Sequence, residues 1–424
     1  MKNPAKPAFF IPTLYFIEGL PYALVASVSI IVLQNLGESK KFIGEASSLL
    51  ALPWTLKFIW APLVDLYGIK RTWIVIAHMV LAALSVVAAA ILHFNGSVSV
   101  LLFALACMAL MSATQEVSMD GYYLEVLDKS QQSFFVGVRN AAYRLALIFA
   151  GGGLVYLAGK LSETIGVRSG WAVSFAVAAL VFLIAYFVHA AILPPGAPAK
   201  EKRRTEASDG QGLRDFGQVF STFFQRPSMG VIVFYMMFFR LGDALLMKMT
   251  QPFLLDKPSL GGMGVSTQDV GFIYGTVGMA FLLLGGFLGG YVVSKFGLKK
   301  TLLPTALIQN SAIVLYYILS KSPPNLLLIA VFNAFEQLAY GLGFTAYTVF
   351  LLSLASEKYR SGHYAIATAF MALGMLIPGY FSGDLCTKLG YQNFFLLSFV
   401  SSIPGMIAIF FLPLPEEKKA ENSS

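Results

Sequence analysis

Apolar residues run through this chain in stretches of about 20 or more, broken by short polar turns, and that is the length a helix needs to cross a bilayer. On that pattern the sequence predicts helices near 8–35, 42–66, 72–94, 97–122, 133–159, 170–193, 228–255, 267–294, 300–320, 324–355, 361–387 and 391–413. One stretch interrupts the rhythm. It opens Pro194-Pro195-Gly196, carries the charge run Lys200-Glu201-Lys202-Arg203-Arg204 and ends before Pro227, so 194–226 reads as a linker. Within it Leu213, Phe216, Val219, Phe220, Phe223 and Phe224 recur at helical spacing, as a short helix on a membrane surface would require. The chain thus divides into a six-helix bundle over 1–193, the linker, a second bundle over 227–415 and a tail over 416–424.

The two halves look like repeats. The second predicted helix ends in Gly68-Ile69-Lys70-Arg71 and the eighth in Gly297-Leu298-Lys299-Lys300, while Gln115-Glu116 in the fourth answers Glu336-Gln337 in the tenth. An all-α polytopic protein with twelve transmembrane helices in two pseudo-symmetric halves describes the major facilitator fold, whose substrate site lies near mid-membrane.

Composition supports a membrane protein and excludes other classes. Of 424 residues 57% are hydrophobic and 12% charged, against about 25% charged in ordinary soluble domains. The net charge of +8 does not point to nucleic acid, because the basic residues sit in short loops. Loops on the side of both termini, among them those holding Lys70, Arg71, Lys129, Lys202, Arg203, Lys299 and Lys358, outnumber the alternate loops in Lys and Arg by more than two to one. The positive-inside rule then places both termini in the cytoplasm. The first apolar run lacks a small-residue cleavage site and exceeds signal-peptide length, so it is read as the first span. Cys107 and Cys386 form no disulfide framework, His78, His93, His189 and His363 show no metal-ligand spacing, and there is no Walker A motif. No enzyme, metal or cofactor is implied.

The informative residues are charges inside apolar runs, since each costs about 2.5–3.5 kcal/mol at the bilayer centre on insertion scales. At ~1.5 Å rise per residue, Glu18, Arg144, Arg240, Asp243 and Glu336 fall near mid-membrane, with Glu116 and, one turn on, Asp120 nearer the cytoplasmic end. Lys57 and Lys248 lie nearer the two faces and could snorkel. Each charge has two readings: a structural pair such as Glu18–Arg144 or Arg240–Asp243, or a proton carrier or substrate contact in an aqueous cavity. As a set, Glu18, Glu116, Asp243 and Glu336 outnumber Arg144 and Arg240, which leaves a carboxyl available for proton coupling. Gly151-Gly152-Gly153 and Gly285, Gly286, Gly289 and Gly290 allow close helix approach. Pro21, Pro53, Pro252 and Pro378 are candidate kinks.

Gln115-Glu116-Val117-Ser118-Met119-Asp120, followed by Glu125-Val126-Leu127, resembles the Gln-Asp-x-x-x-Asp signature of AmpG-type muropeptide permeases, a family related to acetyl-CoA transporters and siderophore-importing permeases. Glu18-Gly19-Leu20-Pro21, the run Leu56 to Asp65, Tyr143-Arg144-Leu145 and Arg240-Leu241-Gly242-Asp243-Ala244 are also similar to that family. The last four predicted helices match only in general character. Glu116 replaces the signature's first Asp, and the chain stops after twelve predicted spans, as siderophore-type members do, whereas the best-known muropeptide permeases carry two more.

The resemblance implies proton-coupled import of anhydro-muropeptides across the bacterial inner membrane, with a siderophore or other anionic-metabolite permease as the alternative. A receptor or lipid-handling protein without transport is the alternative from another class. Glu18, Glu116 and Asp120 would carry proton coupling or interhelix gating. Gln115, Arg144, Arg240, Asp243 and Glu336 would bind substrate or balance charge. Ala61-Pro62-Leu63-Val64-Asp65 with Lys70-Arg71 is similar to the loop motif after the second helix of major facilitators, so Asp65, Lys70 and Arg71 would act at a cytoplasmic gate. The expected partners are a small-molecule solute, protons and the lipid bilayer, with no nucleic acid and a monomer as the working unit.

Overall fold

The computed structural model describes residues 6–61, 64, 69–195, 221–354 and 360–414, and the regular structure among them is helical. Among these residues ten helices are long and apolar enough to cross a membrane. These are α1 (Pro7–Asn35), α3 (Lys70–His93), α4 (Val98–Val126), α5 (Gly137–Ile165), α6 (Val167–Ile192), α7 (Met229–Leu255), α8 (Thr267–Phe296), α9 (Leu298–Leu319), α10 (Leu326–Ser353) and a run over Ile366–Phe411. That last run is two helices, α11 (360–389) and α12 (391–408), which meet at Gly390 with φ 71°. The predicted span 42–66 is less regular: α2 (Lys40–Leu49) is followed by a helical turn at Leu52–Leu56 and a tighter one at Lys57–Ile59.

Helix starts follow local chemistry. Ser39, Ser97 and Asn325 each cap a helix by accepting from the backbone N–H three residues on, and Asp128 with Gln131 forms a reciprocal capping box at the start of the helix Lys129–Ile148, which runs into the α5 span. Such caps satisfy N–H groups that the helix leaves without partners. Wide turns interrupt α1 at Leu24–Val28, α5 at Phe149–Leu154 and α8 at Gly271–Gly278; such insertions occur often at functional positions. Pro21 lies just ahead of the first. α7 breaks at Phe239–Arg240 without any proline, between Met229–Phe238 and Leu241–Leu255.

The chain folds as two compact units, 1–208 with 265–276, and 209–264 with 277–424. In unit 1, α3 packs against α4 and α6, and α1 against α5. One of its cores joins Phe10, Leu14, Tyr15, Ile74, Met119, Tyr122 and Tyr123. Wide turns meet here too: a Cβ on Gly275 would lie 1.9 Å from the Gly151 carbonyl oxygen. In unit 2, α8 packs on α10 and α7 on the α11–α12 run. The α8–α10 packing is backbone-close, since a Cβ on Gly285 would lie 2.0 Å from the Leu338 carbonyl oxygen, whereas Gly290 faces open space. Phe103, Phe187 and Phe287 are largely exposed, as side chains solvated by lipid would be.

Of the linker, 196–220 lies outside the described residues. Phe224 is exposed as a surface helix requires, but Phe223 is fully buried in the unit 2 core. Its neighbour Arg226 donates to the Leu354 carbonyl and lies 2.7 Å from His363 Nδ1. This end of the linker is therefore anchored by packing and hydrogen bonds.

Candidate functional site

Unit 1 gathers its charges where α1, α4 and α5 meet. Glu116 on α4 pairs with Lys57 at 2.7 Å. One turn further along α4, Asp120 pairs with Arg139 of α5 at 2.9 Å. The Arg139 guanidinium lies over the Tyr15 ring, 4.4 Å from its centroid, and 5.3 Å from that of Tyr123. The Tyr15 hydroxyl also donates to Asp120, at 3.4 Å. Two cations thus serve two carboxylates. Glu18, on the neighbouring face of α1, is 7% exposed, and its Oε2 has no hydrogen-bond partner among the described residues. It lies within electrostatic reach of Asp120, Glu116, Arg139 and Lys57. With all three acids ionised this cluster carries one negative charge in excess; with Glu18 protonated it is neutral. Gln115 secures the α1–α4 packing by donating to the Ile17 carbonyl at 3.2 Å.

The anticipated Glu18–Arg144 pair does not form among the described residues. Arg139, about one and a half turns earlier on α5, and Lys57 are the cations within electrostatic reach of Glu18. Sequence reasoning passed over Arg139 because it lies near the end of its apolar run. Arg144 is half-buried and forms no ion pair among the described residues.

Unit 2 holds a matching arrangement. Arg240, at the break in α7, pairs with Asp243 at 3.4 Å, with side chains only 4% and 3% exposed. Its Nη2 donates to the Tyr340 hydroxyl at 2.6 Å, and the guanidinium lies 4.8 Å from the centroid of the Phe344 ring. Gln309 of α9 donates to Asp243 Oδ2 at 2.5 Å. Glu336 on α10 is 5% exposed and accepts from the Gln337 side chain at 2.8 Å. Both carboxyls thus accept from a neutral amide, but Asp243 also has Arg240, whereas Glu336 forms no ion pair among the described residues.

Of the residues expected at a gate, Asp65 lies outside the described residues. Lys70 is buried over Gly121, 3.9 Å from Glu125. Arg71 donates to the Ala190 and Leu193 carbonyls, the first at 2.5 Å and the second at 2.9 Å. These contacts tie the start of α3 to the ends of α4 and α6, where a cation also complements the helix dipole.

Nothing in the local sequence pattern announces that His78 and His189 meet. They stand 2.7 Å apart, Nε2 to Nδ1, fully buried, and His189 Nε2 lies 2.9 Å from the Thr13 hydroxyl. This chain of polar groups stitches α3, α6 and α1 together. Among the described residues no group of three or more His, Cys, Asp or Glu could hold a metal ion.

Buried charge clusters on helices long and apolar enough to cross a bilayer are those of an integral membrane protein. The Major Facilitator Superfamily model matches residues 13–256 and 243–424, and the chain belongs to that superfamily. Within it, the chain is 26% identical over 402 residues to the anhydromuropeptide permease of Escherichia coli, covering 93% of this chain and 77% of that protein. It is 25% identical over 415 residues to a putative transporter named AmpG 4 in Rickettsia conorii, covering 95% and 96%. Among solved structures, the fold is similar to a D-xylose–proton symporter, with TM-score 0.73, 14% identity and coverage of 97% and 98%. It is also similar to a bacterial homologue of the lysosomal transporter Spinster in an inward-facing conformation, with TM-score 0.70, 16% identity and coverage of 95% and 94%.

Proposed function

We propose that this protein imports anhydro-muropeptides across the bacterial inner membrane, by alternating access and coupled to protons, as a monomer with both termini in the cytoplasm. The observation that carries the coupling is that Glu18 in unit 1 and Glu336 in unit 2 are buried carboxyls that form no ion pair among the described residues, while the acids around them, Glu116, Asp120 and Asp243, are each paired with a cation. An ionised carboxylate in such surroundings is costly without a partner. Protonation removes that cost, so occupancy by a proton and rearrangement of the helices become linked. Glu116 and Asp120 hold Lys57 and Arg139 in place, and Arg139 is the cation Glu18 would draw on when it loses its proton. Arg144 offers a guanidinium to an anionic group of the substrate. Lys70 and Arg71, with Asp65, serve the cytoplasmic gate. The names and coverage of the relatives support the substrate class.

The test is uptake of labelled anhydro-muropeptide into proteoliposomes with an imposed pH gradient. Accumulation above the equilibrium level supports the reading. Its absence, where the Escherichia coli permease accumulates the same compound, removes the substrate assignment. Uptake of iron chelates in its place would favour the siderophore reading.

A further inference from the structure

We propose that a groove between α3 and α6 binds one anionic phospholipid of the surrounding bilayer, with an acyl chain along its apolar floor and its phosphate at Arg168. The site uses none of the residues assigned to transport and does not depend on the substrate class proposed above.

The groove encloses about 570 Å³, within the range of cavities that hold small-molecule ligands. Ala89 and Ala90 of α3 and Ala172 and Ala176 of α6 line it, and their short side chains leave space that longer ones would fill. Both helices are long and apolar enough to cross a membrane, and Val86 and Val173, which also line the groove, are exposed on their outer surface. What reaches such a surface is lipid rather than water. An acyl chain is therefore the occupant at hand along its length.

The polar lining lies at one end. His93 is the last residue of α3 and Ser169 the third of α6, so both stand where the helices reach the membrane surface. Val86 on α3 and Ala176 on α6 mark the other end, about 10 Å deeper at 1.5 Å rise per residue. A polar mouth over an apolar trough matches the order in which a phospholipid presents its headgroup and chain.

Arg168 supplies the charge. Its Nη1 donates to the Gly96 carbonyl at 3.0 Å, in the turn that follows α3, and this holds the guanidinium beside the mouth. A guanidinium has five N–H donors, so that bond leaves others for a phosphate, which it can grip with two at once. Among the described residues Arg168 forms no ion pair, even with Glu163 near the end of α5, and no acid lines the groove. The exposed His93 imidazole adds a further polar group at the same mouth. A headgroup of net negative charge fits there better than one whose ammonium would sit against Arg168.

The experiment places the full-length protein in phosphatidylcholine vesicles with a trace of phosphatidylglycerol or phosphatidylethanolamine. Both probes carry the same diazirine-bearing acyl chain, and cross-linked peptides are mapped after illumination. Phosphatidylglycerol should label 86–94 and 165–176 about fivefold more than phosphatidylethanolamine, the preference that one basic side chain near the surface gives an anionic lipid. Unlabelled phosphatidylglycerol should suppress that labelling. Arg168→Gln should bring the two probes level, and Arg168→Lys should keep most of the preference. Ala176→Phe, which fills the groove from an exposed position, should lower labelling by both. Equal labelling of wild-type protein by the two lipids overturns the inference with no variant needed. So does labelling spread evenly over the outward helix faces without competition, which is annular lipid only. A preference that survives in the Arg168→Gln protein overturns it too, since the phosphate would then be held elsewhere.

Discussion

Replacing Asp243 by Asn should destabilise the protein by about 3–5 kcal/mol, the cost of leaving a buried charge without its partner. At an effective dielectric of about 20, unit charges 3.4 Å apart attract by roughly 5 kcal/mol. Solvent screening takes little from this, because the two side chains are 4% and 3% exposed. Arg240 would retain the Tyr340 hydroxyl and its position over Phe344, neither of which balances its charge. The double replacement Arg240→Met with Asp243→Asn removes both charges and should cost much less than the sum of the two single changes, so the coupling free energy should be about 3 kcal/mol or more. Reversible unfolding in mixed detergent micelles gives all four stabilities. A coupling below about 1 kcal/mol would show that the pair is not a desolvated one, since exposed or water-bridged pairs reach only that value.

Three further outcomes follow from the packing and from the charge clusters. Gly285→Ala should cost about 1–3 kcal/mol, because its Cβ meets the Leu338 carbonyl across α8 and α10. Gly290→Ala should stay within about 0.5 kcal/mol; equal effects in the same unfolding assay would contradict the close approach. His78→Phe should cost about 1–3 kcal/mol by leaving His189 Nδ1 without its partner, and unchanged stability would show that the polar stitch contributes nothing. Glu116→Gln should still insert and fold, but should lose gradient-driven uptake as Lys57 is released; retained accumulation would remove its assigned role.

Much of the fold is legible in the sequence because the bilayer sets the rule. A long apolar run with few charges can satisfy its backbone in lipid only as a helix, so α1 and α3 to α10 stand out in composition alone. The 42–66 region departs from this. Its Pro53 falls at the start of a helical turn rather than inside a long helix. The break in α7 at Phe239–Arg240 carries no proline to announce it. A Cβ on Gly405 would lie 2.5 Å from the Phe239 backbone, so tertiary packing accompanies that break. Intramembrane acids are conspicuous for their cost, and Glu18, Glu116, Asp243 and Glu336 could be picked out one by one. Which cation meets which acid could not. Pairing depends on helix rotation and depth, and a shift of five residues along α5 separates the anticipated Arg144 from Arg139. His78 and His189 are likewise joined by packing across 111 residues of sequence, beyond the reach of any local pattern.

If proton coupling runs through Glu18, that carboxyl must take up and release a proton each time solute crosses. Proton entry into proteoliposomes can be followed with a trapped pH-sensitive dye as anhydro-muropeptide is added outside, for wild-type and Glu18→Gln protein. Wild-type vesicles should acidify inside in step with solute uptake. The Glu18→Gln protein should exchange labelled for unlabelled solute across the membrane with no acidification. Solute-dependent proton entry undiminished in Glu18→Gln would show that the proton travels by another route.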